Sequence, residues 1–148
     1  MGRPQVHGFT MIELMIVIIL LGVLTAVSFP TVSRVTTHSR VNQAAMVVAQ
    51  GLMTTVSNAS RERKPMRIAR GADLRSITVT DRVSGTLLST RKLGAGGDAY
   101  VLDSVSFSVT PVDVFPSGFT SSALTVTLWA NGYSRKVTMS RAGWVRVP

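Results

Sequence analysis

Gly8-Phe9-Thr10-Met11-Ile12-Glu13-Leu14, with the apolar run that continues to Phe29 and Pro30, decides how the rest of the chain is read. Between Phe9 and Phe29 the only charged residue is Glu13. At about 1.5 Å rise per residue, a helix over that run is roughly 30 Å long, which matches the hydrocarbon core of a bilayer. A carboxylate in its opening turn costs on the order of 3 kcal/mol at the membrane centre, and less near the interface. Such a residue marks a function and requires a partner.

Size and composition narrow what can follow. A chain of 148 residues is one domain's worth. With the apolar run set aside, the remainder can hold a helix extension and one small sheet-on-helix head, and is too short for a two-domain enzyme. The absence of cysteine removes disulfides, thiolate zinc sites and cysteine nucleophiles together. The net charge of +9 favours anionic partners such as nucleic acid, lipid head groups or acidic proteins, or else serves solubility.

The residues before the run, MGRPQVHG, are polar and carry Arg3. A positive flank stays cytoplasmic, which puts the C-terminal head on the far side of the membrane. An ordinary secretory signal is one alternative, with Ala26-Val27-Ser28 as its small-residue cleavage site. Against it stand the length of the run and Glu13 in its first turn. A plain uncleaved anchor explains the length but gives no reason for Gly8, Phe9 or Glu13.

Gly8 through Leu14, followed by Leu21-Gly22, Leu24 and Pro30, resembles the prepilin signature of type IV pilins and type II secretion pseudopilins. The resemblance implies cleavage after Gly8 by a prepilin peptidase on the cytoplasmic side and N-methylation of Phe9. The residue chemistry is compatible with that. Glycine leaves the backbone open to a protease. The cut would make Phe9 a cationic α-amine at the tip of an apolar helix, with Glu13 of an adjacent helix as its counter-charge. Two buried charges that are unfavourable alone become tolerable as a pair and set register. Glu13 is then an assembly residue; the alternative is a carboxylate that reaches water at the interface.

Beyond Pro30, which removes a helical hydrogen bond and bends the axis, the helical pattern resumes. Val32, Val35, Ala45, Ala49, Leu52, Met53 and Val56 recur at spacings of three and four. The spacing predicts one long, kinked helix from about Thr10 to Asn58, whose second half packs into the head. Residues 61–70, RERKPMRIAR, read as a charge-rich break, either a patch for phosphate or lipid head groups or a solvated connector.

From Ile68 onward the texture is β. Residues 75–80, 104–109 and 124–129 alternate with period two. Asn131-Gly132 is a hairpin signal, with residues 133–140 as the second arm and 144–147 as a last short strand. Residues 94–98 and 111–122 read as loops. The expected architecture is α+β and pilin-like: a long helix packed on a small antiparallel sheet of about six strands. The expected divisions are a leader over 1–8, a transmembrane and filament-core helix over 9–29, its amphipathic continuation over 30–60, and a periplasmic head over 61–148. No catalytic or metal-ligating constellation stands out, and no cofactor is expected. His7 and His38 are isolated, and Asp73, Asp81, Asp98, Asp103 and Asp113 are scattered singly.

Phe107, then Phe115-Pro116-Ser117-Gly118, and the ending from Val137 to Val147 are similar to the GspH/FimT family of minor pseudopilins and minor pilins. That resemblance implies a subunit of the periplasmic pseudopilus of type II secretion. The partners would be prepilin peptidase, other pilin-like subunits and the inner membrane, with Glu13 and Pro30 serving assembly. Its alternative is a type IV pilus minor pilin that binds DNA for uptake. Some FimT-type proteins carry a Gly-Arg-x-Arg tail; here those positions read Gly143-Trp144-Val145-Arg146, with Trp144 in place of the first arginine. Arg135, Lys136, Arg141 and Arg146 are the candidate anion-binding residues.

Overall fold

The computed structural model describes residues 9–94 and 100–148, and the side chains of all of these except residues 27–31. Helix α1 (Met11–Glu62) is followed by eight strands. These are β1 (Met66–Arg70), β2 (Ser76–Asp81), β3 (Leu87–Lys92), β4 (Ser104–Phe107), β5 (Val112–Val114), β6 (Leu124–Ala130), β7 (Tyr133–Met139) and β8 (Val145–Arg146). The chain forms two compact units, one ending at Thr36 and one running from Thr37 to Pro148.

The helix begins where its chemistry allows it to. The Thr10 hydroxyl accepts the Glu13 N–H, and the Glu13 carboxylate accepts both the Thr10 N–H and hydroxyl at 2.8 Å. This is a capping box, which satisfies otherwise orphaned donors of the first turn. The helix ends four residues beyond the expected Asn58 position, at Glu62. Arg61 places a cation in the last turn, Arg63 takes a left-handed φ of 54°, and Pro65 prevents continuation. The bend expected at Pro30 falls among residues 27–31, outside the described side chains.

The second unit holds the core. All the buried apolar side chains among the described residues lie between Val41 and Met139, so residues 37–148 carry a complete core of their own. On the helix, Val41, Ala44, Ala45, Val48, Ala49, Leu52 and Ala59 form the buried face. Their three- and four-residue spacing makes one stripe, and the alanines let the helix backbone approach the sheets closely. Each fully buried Leu, Ile or Val contributes about 1.5–3 kcal/mol of transfer free energy.

Where about six strands in one sheet were expected, there are two four-stranded antiparallel sheets, ordered β3-β2-β1-β5 and β4-β6-β7-β8. The division arises because β5 returns to pair with β1, Ile68 opposite Val112 and Met66 opposite Val114, rather than extending the second sheet. The segment read as a charged break contains β1, in which Met66 and Ile68 point inward. β5 lies inside the stretch read as a loop. β3 is exposed at every position and is an edge strand of its sheet. The hairpin signal holds: Asn131 and Gly132 both have positive φ, 46° and 77°, between the closing pair Ala130 and Tyr133.

Candidate functional site

Three surfaces stand out, two of them carrying the residues singled out from sequence. The first is the start of α1. Its large apolar side chains from Phe9 to Leu24 are exposed around the whole circumference, and none of them belongs to the core of the described residues. Among the described residues no helix is long and apolar enough to cross a membrane. The described side chains of this run stop at Ala26, and the span read from sequence continues into residues 27–29. Gly8 lies outside the described residues, and Phe9 is exposed immediately before the capping box. Glu13 has an intrachain role that the sequence reading passed over, although Thr-x-x-Glu ahead of an apolar run is the signal for it.

The second surface is the outer face of the β4-β6-β7-β8 sheet. Thr127 pairs with Lys136 and Thr138 with Arg146, so Lys136 and Arg146 are diagonal neighbours on one face. Around them lie Ser106, Thr125, Thr127, Thr138 and the half-exposed Trp129, with no carboxylate in these strands on that side. Arg135 pairs with the fully buried Leu128 and lies on the opposite face, where its Nε is buried without a hydrogen-bond partner. Arg141 sits in the turn before β8. The structure therefore joins Lys136 and Arg146 and separates both from Arg135.

The third is an ion cluster that no motif announced. Asp113 on β5 accepts the Arg67 Nε–H at 2.8 Å and lies 2.9 Å from the Nε of Arg82. The Arg67 hydrogen bond, with the charge of Arg82 in support, holds the Asp113 carboxyl below the usual carboxylate range against its partial burial. Arg82 also lies 5.8 Å from the centre of the Phe115 ring.

The other described aspartates also have structural work. Asp73 accepts from the Ser76 hydroxyl and the Arg75 N–H, and Asp81 from the Ser84 and Val83 N–H groups; both carboxyls titrate lower for it. Asp103 caps the hairpin through the Asn131 N–H at 2.8 Å. His38 stacks on Tyr133 with ring centres 3.9 Å apart. No group of His, Cys, Asp or Glu among the described residues could hold a metal. A cleft of about 420 Å³ between α1 and β3 is lined by Val47, Gly51, Thr54, Asn58, Leu88 and Arg91, among others, and includes no acid–base pair suited to catalysis.

The prokaryotic N-terminal methylation motif matches residues 3–29. Over 75% of this chain and 90% of its own, the type IV minor pilin FimU of Pseudomonas aeruginosa superposes with a TM-score of 0.61 at 18% identity. The fold is type IV pilin-like. The minor pseudopilin EpsH from the type 2 secretion system of Vibrio cholerae is similar too, with a TM-score of 0.58 at 16% identity over 74% of this chain and 96% of that one. The expected α+β pilin-like architecture is thus the observed one: a long N-terminal helix packed on antiparallel sheets. These neighbours are named a minor pilin and a minor pseudopilin, and this chain combines their fold with the methylation motif.

Proposed function

We propose that this chain is a minor pseudopilin, a structural subunit of the periplasmic pseudopilus of a type II protein secretion system. In this reading it is made as a precursor, held in the inner membrane by residues 9–29, cut after Gly8 and methylated on Phe9 by a prepilin peptidase. One observation supports the reading: the methylation motif runs into a helix whose apolar side chains from Phe9 to Leu24 stay exposed among the described residues. Such a surface needs lipid before assembly and neighbouring helices after it. The intact mass of the exported protein tests this. The expected species lacks residues 1–8 and carries one added methyl group. A mature chain beginning at Phe29, or an uncut one, would overturn the proposal.

A second reading, a pilus minor pilin that captures DNA, is favoured by the carboxylate-free outer face bearing Lys136, Arg146 and Trp129. Cations there would neutralise phosphates and release counterions. Replacing Lys136 and Arg146 together with alanine is then expected to lower the slope of log affinity against log salt by about two. An unchanged slope in titrations with duplex DNA, or no binding at low salt, rejects that reading.

A further inference from the structure

Three tight turns meet where α1 ends, and each presents an apolar side chain to water. Asp81 on β2 and Val114 on β5 both pair with Met66, the first residue of β1 after the helix. The turns that follow these two strands therefore leave the sheet at the same end. The first turn carries Val83 and closes through the Gly85 N–H to the Asp81 carbonyl, at 2.9 Å. The second carries Phe119 and is closed by the Phe115 N–H to the Phe119 carbonyl, at 2.8 Å. The third, between β7 and β8, carries Trp144 and closes through the Gly143 N–H to the Ser140 carbonyl, at 3.0 Å.

The second and third turns touch: a Cβ on Gly143 would collide with the Gly118 carbonyl oxygen and press on Val56 of the helix. Each turn contains a glycine at positive φ, namely Gly85, Gly118 and Gly143, so the backbones are fixed by conformations that other residues resist. The three tips are 83%, 58% and 79% exposed for Val83, Phe119 and Trp144. Rigid turns that hold a valine, a phenylalanine and a tryptophan in water need a reason outside the folded chain.

The charge around them is cationic. Arg63 and Lys64 follow the helix, Arg82 precedes Val83, and Arg141 lies in the Trp144 turn, all exposed. Of the nearby carboxylates, Asp113 is held by Arg67 and Arg82 and Asp81 by its own turn, so that the exposed Glu62 stands against Arg63, Lys64 and Arg141, with Arg82 already paired. Aromatic tips flanked by cations suit either a bilayer interface or a single-stranded nucleic acid. Val83 decides between them, because an aliphatic tip offers nothing for a base to stack on but gains by entering the acyl boundary.

We propose that this end of the head is a membrane-contact surface, which inserts Val83, Phe119 and Trp144 into the interface of a bilayer bearing anionic lipids while the cations meet the head groups. Anionic surfaces attract each nearby cation, and tryptophan favours the head-group level. The surface lies in the unit that carries its own core, so residues 37–148 can be tested without the apolar N-terminal run.

The experiment uses residues 37–148 with Trp129→Phe, which leaves Trp144 as the sole tryptophan. Vesicles of phosphatidylcholine with about one quarter phosphatidylglycerol are expected to sediment the protein and shift Trp144 emission to the blue. Pure phosphatidylcholine should bind it less, and salt should weaken the anionic case. Val83→Ser, Phe119→Ser and Trp144→Ser combined, added to the unsubstituted 37–148 so that Trp129 still reports, should lower the partition coefficient at least about tenfold with unchanged circular dichroism. Trp144→Phe should retain most of it. Absence of sedimentation at low salt, undiminished partition of the triple variant, or binding to a single-stranded oligonucleotide but not to vesicles would each overturn the proposal.

Discussion

Replacing Glu13 with leucine is expected to leave cleavage after Gly8 largely intact and to keep the mature chain out of filaments. The processing site is a backbone feature at Gly8 and Phe9, upstream of the carboxylate. Filament packing, in the proposed function, is where the charge is used, against the α-amine that cleavage creates on Phe9 of a neighbouring subunit. Removing one member of a buried pair leaves the other uncompensated, at a cost of about 3–5 kcal/mol. That corresponds to more than about a hundredfold in an association constant. The quantity to measure is the fraction of mature protein recovered with sheared filaments, beside the intact mass of the unassembled remainder.

The capping box gives this experiment a competing explanation, because Glu13 also closes the first turn through Thr10. Two further variants separate the roles. Glu13→Gln keeps a side chain that can cap at the same position but loses the charge. Thr10→Val keeps the charge and loses the hydroxyl, at about 1 kcal/mol of helix stability. If the charge drives assembly, Glu13→Gln fails to assemble like Glu13→Leu, and Thr10→Val assembles. The reverse order would make Glu13 a local cap and refute the pairing. Thr10 and Glu13 are three residues apart and could have been read as a cap from sequence alone. The prominence of a lone charge in an apolar run drew attention to an intermolecular partner instead.

Similar reasons govern what else could be read. β4, β6 and β7 have one side on the core and one toward water, so they alternate in sequence; β2 alternates in residue type although none of its residues is exposed, and the Asn131-Gly132 turn between β6 and β7 needs two positive φ values. β1 alternates as well, but Arg67 and Arg70 within a basic run hide Met66, and the β texture is legible only from Ile68. β3 buries neither face, so Leu87-Leu88-Ser89-Thr90-Arg91-Lys92 has no period to detect. β5 is three residues long between prolines, and only its pairing with β1 makes it a strand. That pairing also divides the head into two sheets. It is a long-range choice, and local pattern does not express it. The same return places Asp113 between Arg67 and Arg82 and gathers the three turns at one end. The four candidate cations were legible as charges, but strand register alone decides that Lys136 and Arg146 share a face that Arg135 does not.

A large stability effect from a single methyl group is expected at Gly143. Alanine there has two separate costs. The φ of 76° is left-handed, a conformation worth roughly 1–2 kcal/mol against any L-residue with a Cβ. The added carbon would also strike the Gly118 carbonyl oxygen, a backbone atom of a turn with its own left-handed glycine, and would sit 3.3 Å from Val56 Cγ1. Neither neighbour is the free end of a flexible side chain, so relief requires the two turns to part. The combined loss should be about 2–4 kcal/mol, in the range of a core deletion. Gly132 separates the two terms. Its φ of 77° is nearly the same, but nothing lies within 4 Å of where its Cβ would stand. Gly132→Ala should therefore cost only the conformational part. Urea unfolding of residues 37–148 would measure both. Equal losses would mean that the two turns are not in firm contact, and the rigid presentation of Phe119 and Trp144 would lose its basis.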